Sequence, residues 1–236
     1  MTNMHAILDH LDAGTLIRGD WGDGRERACL YSALVTGAKS TANCPSEIMP
    51  QWLADATPDL DDKVPEKGWS DRMRRYGVAA TRWHAISPER WEYIRREWTA
   101  GNIDMALEAA RKVAGDADYW PDAEASCVAV SAALRGGGDM SAAAGAARVA
   151  VARAEAEAAQ AAVWAARAAV WAEADAAWAA ADAAWAAARA AAESHGRQMR
   201  HGLHGQRHWE TCSARAAAWA DMFDRLMALI EKECGE

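Results

Sequence analysis

At 236 residues, with a formal charge of −8 and thirteen tryptophans against a single phenylalanine, the chain can bury a sizeable core, as one elongated helical unit or as two small domains, and is too acidic for general coating of nucleic acid. Five cysteines, Cys29, Cys44, Cys127, Cys212 and Cys234, are odd in number and include no C-x-x-C pair, which argues against a disulfide framework and a zinc ribbon. No basic leader precedes an apolar run, and no uninterrupted apolar stretch reaches ~18 residues, so the expectation is a soluble protein of a reducing cytoplasm, with no membrane anchor and no cofactor.

In chain order, residues 4–12 read as a first helix capped by Asn3 or Thr2, with Met4, Ile7, Leu8 and Leu11 as its apolar stripe and Gly14 as its end. Three glycines within Gly19-Asp20-Trp21-Gly22-Asp23-Gly24 mark a tight loop. It fits neither a P-loop, because Asp20 and Asp23 would repel the anion, nor a calcium loop, because the ligand run is missing. Its expected role is a turn that folds Trp21 onto the core. A second short helix is predicted over 26–35. Residues 37–68 are loop-rich, with Pro45, Pro50, Pro58 and Pro65 allowing one short helix near 50–56.

A basic and aromatic segment follows, residues 63–98. Between Lys63 and Arg96, nine Lys or Arg face four Asp or Glu. Arg72, Arg74, Arg75, Arg95 and Arg96 stand among Trp69, Tyr76, Trp83, Trp91 and Tyr93, a mixture suited to phosphate contact and base stacking. The competing reading places Trp91 and Trp98 in the core, with the arginines paired to Glu89, Glu92 and Glu97 along solvated helices. Ser87-Pro88 starts a helix, Gly101-Asn102 separates it from another over 103–113, and Pro121 opens a further one to about 134. Gly136-Gly137-Gly138 is the expected hinge.

Beyond it, residues 163–190 contain four near-copies of a seven-residue unit, VWAARAA, VWAEADA, AWAAADA and AWAAARA. Alanine loses least on entering a helix, and the heptad spacing holds Trp164, Trp171, Trp178 and Trp185 in one stripe that drifts only about 20° per repeat. Asp175 and Asp182 fall beside that stripe, and the opposite side is almost all alanine. Such a helix is too apolar for a solvated strut and suits a bundle interior, a self-association seam or a partner-binding face. A last helix over about 207–232 presents Trp209, Ala216, Trp219, Phe223, Leu226 and Ile230, and is expected to fold back as a hairpin. His201, His204, His208 and Cys212 share one helical face and form the single metal candidate, with His204, His208 and Cys212 as its ligands; a solvated helix end is the competing reading. No Gly-x-Ser-x-Gly and no directed acid–base pair occurs, so nothing positive supports an enzyme.

The opening ILDHLDAGTLIRGDWGDGRERACLYSAL, residues 7–34, resembles the N-terminus of uncharacterised proteins encoded by bacteriophages and prophages, in which GTLI-x-G-x-W precedes ACL-x-SAL. The likeness covers about an eighth of the chain and carries no catalytic residues. It implies a small accessory protein that disables host machinery, anti-CRISPR proteins being the best-known class. The expected architecture is therefore all-α, with an N-terminal helical domain at 1–135, a glycine hinge at 136–140 and a long helical hairpin at 141–236. The expected function is non-enzymatic binding of a host protein complex, a CRISPR effector ribonucleoprotein being the most concrete case, through Trp164, Trp171, Trp178, Trp185, Asp175 and Asp182. The alternatives are nucleic-acid binding through 63–98, or a self-assembling homo-oligomeric coiled coil.

Overall fold

The computed structural model describes residues 4–42, 44–114, 118, 120–136, 142–145, 147–149, 167–168 and 204–235, with side chains for all of these except 113, 114 and 204–212. The protein is all-α: no strand or sheet occurs among the described residues. The helices are α1 (Ala6–Asp12), α2 (Leu30–Leu34), α3 (Gln51–Asp62), α4 (Trp69–Ala80), a 3-10 turn (Trp83–Ala85), α5 (Pro88–Ala114), α6 (Trp120–Gly136) and α7 (His204–Glu233). Among the described residues, no helix is long and apolar enough to cross a membrane. The Trp/Ala repeat at 163–190, except Arg167 and Ala168, lies outside the described residues, as do Gly137 and Gly138 of the expected hinge.

Two compact units emerge, Met1–Ile94 with Trp219–Glu236, and Arg95–Ala218, a different division from one at the triple glycine. The chain passes from the first unit to the second within α5, and returns within α7. The first unit is therefore closed by residues from both ends of the chain. Of the apolar side expected on the last helix, Trp219, Phe223, Leu226 and Ile230 are buried, together with Met222 and Met227. Phe223 stands 6.3 Å from Tyr76, which meets Trp83 edge-on at 5.1 Å; Trp83 meets Trp91 at 5.8 Å, and Trp91 meets Trp52 at 6.3 Å. Edge-to-face pairs of this kind add to plain area burial because ring edge and ring face carry opposite partial charge.

Several predicted boundaries move, each for a packing reason. α3 runs through Pro58 to Asp62 rather than stopping near 56, because Leu53, Ala54, Ala56, Thr57 and Leu60 bury its face on both sides of the proline. α4 continues through Gly77, where a Cβ would come within 3.0 Å of Ile7 and 2.9 Å of Leu8; the missing side chain lets α1 lie close against α4. α5 does not break at Gly101-Asn102, since Ala100, Asn102, Ile103 and Ala106 are all fully buried and hold the helix through its weakest dipeptide. α2 is only five residues long, because the chain before Cys29 is committed to the glycine loop.

In the second unit, polar contacts join α5 and α6. Ser131 Oγ donates to Asp104 Oδ1 at 2.7 Å, Arg135 pairs with Asp104 at 2.8 Å and Glu97 at 3.3 Å, and Arg96 Nε donates to the Leu134 carbonyl at 2.5 Å. Trp98, Trp120 and Cys127 are buried in this unit.

If residues 219–236 complete the first core, a chain ending at Ala218 will lose the cooperative unfolding of residues 4–94, because six large apolar side chains leave it at once. Persistent amide protection across α3 and α4 in that truncated chain would contradict this composition of the unit.

Candidate functional site

Residues 15–29 form an irregular loop pinned by short backbone bridges and by side chains from α3. Leu16 and Gly22 both bridge to Ala28, with Ile17 N–H donating to the Ala28 carbonyl at 2.8 Å. Asp23 Oδ1 accepts the N–H groups of Arg25, Glu26 and Arg27 at 2.9, 2.8 and 3.1 Å. These backbone donors, Arg25 and Arg27 foremost, hold the Asp23 carboxyl down to about 2. Trp21 is half-buried and meets Tyr31 edge-on at 5.8 Å, as the loop reading anticipated.

Arg18 ties the loop to the end of α3. Its guanidinium donates to the Asp62 and Val64 carbonyls, both at 2.7 Å, pairs with Glu66 at 2.8 Å, and lies 5.7 Å from the Trp69 ring. A cation there also meets the negative end of the α3 dipole. Asp61, one per cent exposed, sits beneath it. Its carboxylate accepts from Leu30 N–H at 3.1 Å and from Trp69 Nε1 at 2.9 Å, so one acid fixes the start of α2 and the start of α4. Burial pushes Asp61 up to about 6 against the pull of these donors and of Arg18. A cavity of about 90 Å³ lies beside it, lined by Asp20, Trp21, Cys29 and Asp62 among others.

The basic segment turns inward rather than outward. Arg72 pairs with Asp224 at 3.1 Å, and Arg75 reaches Asp224 at 3.3 Å and both oxygens of Glu231 at 2.5 and 2.6 Å. Arg90 makes a two-pronged pair with Glu233, and Arg74 meets Asp12 at 2.6 Å. Lys63 pairs with Asp59 at 2.7 Å and lies 5.4 Å from the Trp219 ring. The aromatic members follow the same rule: Trp69, Tyr76, Trp83 and Trp91 are buried, and only Tyr93 is substantially exposed, under the Arg90 guanidinium at 5.1 Å. Trp91 and Trp98 are core, as the competing reading held. Acids that pair with Arg72, Arg74 and Arg75 of α4 come from α1 and α7. Arg95 and Arg96 belong to the second unit, where Glu97 pairs with Arg135.

Asp12, Asp61, Asp224, Glu231 and Glu233 were therefore missed as partners. The available signal was weak: Asp224 and Glu231 are seven apart, beside the Phe223–Ile230 stripe, and only knowing which surface that stripe meets would have matched them to Arg72 and Arg75. Trp164, Trp171, Trp178, Trp185, Asp175 and Asp182 lie outside the described residues. His204, His208 and Cys212 lie on α7, which runs through Gly205, but their side chains are outside the described set. Among the described residues no group of three His, Cys, Asp or Glu could hold a metal ion. The thiols of Cys127, raised to about 12, and Cys44, also raised, are both displaced upward chiefly by burial, the opposite of an activated nucleophile.

Fold and site together define a helical protein whose charged side chains cross-link its own elements. Compared with known protein families, with curated proteins and with solved structures, the chain matches none.

Two outcomes follow from this geometry. In a double-mutant cycle of Arg75→Gln and Glu231→Gln, the coupling measured by denaturant unfolding should be about 1–2 kcal/mol at low salt and fall in 1 M NaCl, since both groups are only partly screened by protein; zero coupling would reduce the pair to a surface contact. For Asp61, the folded-state value lies above the unfolded one, so its contribution is fully present below about 4 and is lost as pH rises through about 6. The stability of the native protein relative to Asp61→Asn should thus fall by on the order of 2 kcal/mol between pH 4 and pH 7 in thermal or chemical denaturation, and a difference independent of pH would contradict the assignment.

Proposed function

We propose that this protein works by binding another protein and performs no catalysis. The observation that carries the reading is the indole row: Trp164, Trp171, Trp178 and Trp185 recur every seven residues on an alanine background, while the first unit already builds its aromatic core from Trp69, Trp83, Trp91 and Trp219. Tryptophans beyond the needs of a core, spaced to share one side of a helix, are the side-chain type most enriched at protein interfaces. Asp175 and Asp182 beside them suit a basic partner surface, such as that of a protein assembly holding RNA. The N-terminal resemblance to phage and prophage accessory proteins supplies the context, a host defence assembly, with a CRISPR effector complex as the most concrete target.

The nucleic-acid alternative loses support from the ion pairs. Arg72, Arg74 and Arg75 are committed to Asp224, Asp12 and Glu231, so phosphate would have to displace carboxylates that are covalently part of the same chain.

Replacing Trp171 and Trp178 together by alanine tests the reading. The expected result is unchanged helical circular dichroism and unchanged mass by light scattering, with at least a tenfold loss of binding to purified CRISPR effector ribonucleoprotein, a loss of ~1.4 kcal/mol or more. Loss of fold would make the row a core element, a fall in mass would make it a self-association seam, and undiminished binding would place the interface elsewhere; each overturns the proposal.

A further inference from the structure

α5 carries two buried sides. With about 3.6 residues per turn, Glu97, Ala100, Asp104 and Arg111 share one of them, and there the helix meets Ser131, Arg135 and Glu124 of α6. Trp98, Thr99, Asn102, Ile103, Ala106 and Ala110 fall on the other, and none of the six is more than 1% exposed. All but Thr99 and Asn102 are apolar.

Those two side chains leave their polar atoms idle. Thr99 Oγ1 and both Oδ1 and Nδ2 of Asn102 have no hydrogen-bond partner among the described residues. A helical threonine can satisfy its hydroxyl on the carbonyl four residues back, here that of Arg95, and Thr99 does not. Each such atom gives up its hydration on folding and gets nothing in return, so three of them on one helical turn weigh heavily against a side that is otherwise apolar.

The three atoms also converge. Cα–Cβ bonds tilt toward the N-terminus of a helix, so the side chain at 102 leans back over the turn that carries residue 99, and positions three apart stand only about 5–6 Å from each other at Cβ. Together they offer an amide donor group, a carbonyl acceptor and a hydroxyl able to act as either. The nearest acid along the helix, Asp104, is occupied on the α6 side by Ser131 and Arg135. An ammonium or a carboxylate seated on Thr99 and Asn102 would be buried without a counter-charge from either. The matching ligand is small, uncharged, and both donor and acceptor.

We propose that Thr99 and Asn102 hold buried water. One molecule accepts from the Asn102 Nδ2–H group, a second donates to Asn102 Oδ1, and the Thr99 hydroxyl, one turn back, joins the pair by hydrogen-bonding to one of them. Water in this position satisfies all three atoms at once, as buried water in proteins does by making about three hydrogen bonds to otherwise idle polar groups. It also gives the Gly101-Asn102 dipeptide, the weakest helix-former in α5, a polar anchor in place of an apolar one. The inference is independent of the indole row.

Water-to-protein NOE spectra of the full-length isotope-labelled protein, recorded with their rotating-frame counterparts to separate contact from proton exchange, test it. Contact cross-peaks at the water frequency are expected for the Asn102 side-chain amide protons and for the Thr99 methyl group. In chemical denaturation, Thr99→Val, which keeps the shape and removes the hydroxyl, should raise the unfolding equilibrium constant about two- to tenfold. Absence of water contact at either residue would overturn the proposal even if Thr99→Val is destabilising, since a hydroxyl bonded to the Arg95 carbonyl or to another segment of the chain gives that result as well. An unfolding constant left unchanged or lowered by Thr99→Val would overturn it too, because that is the response of a buried hydroxyl with no partner.

Discussion

The structure of the first unit depends on one constraint: its core is completed by the far end of the chain. Residues 4–94 fold into four short helices, a 3-10 turn and the first turns of α5, with Tyr76, Trp83 and Trp91 buried among them. Trp219, Phe223, Leu226 and Ile230 complete that core, and Asp224, Glu231 and Glu233 then meet Arg72, Arg75 and Arg90 around its edge. The apolar contacts provide most of the stabilisation, because each fully buried large side chain contributes roughly 1.5–3 kcal/mol, whereas a partly exposed ion pair adds on the order of 1. The ion pairs fix which way the helix faces: a rotated α7 would bring its acids away from α4.

This constraint governs how charge is used. A segment that looks like a polyanion-binding surface in one dimension is, in three, half of an internal electrostatic seam. Asp61 illustrates the same economy in the loop, where a single buried carboxylate fixes the first N–H of α2 and the indole of Trp69 at the head of α4. Its displacement toward neutral pH is the cost of burying an acid whose partners are hydrogen-bond donors and not a contacting cation.

Much of the fold was legible in local pattern. The all-α class, the Ser87-Pro88 start of α5 and the burial of Trp91 and Trp98 follow from helix propensity, capping and 3.6-residue periodicity. Breaks assigned to Pro58 and Gly101-Asn102 were not breaks, because a helix buried on either side of a weak residue is held by packing that local propensity does not register. The arginine partners were illegible for a different reason: they lie 62 to 156 residues away, and no spacing rule connects Arg74 to Asp12 or Arg75 to Glu231.

Native-state hydrogen exchange tests the closure of the first unit most directly. If the end of α7 completes that core, the slowest amides of α4 and those of residues 222–230 will exchange through one opening, with the same free energy and the same denaturant dependence. Amides of residues 222–230 that exchange at a much lower free energy, while α4 keeps full protection, would show α7 to be an appended helix and would contradict the account.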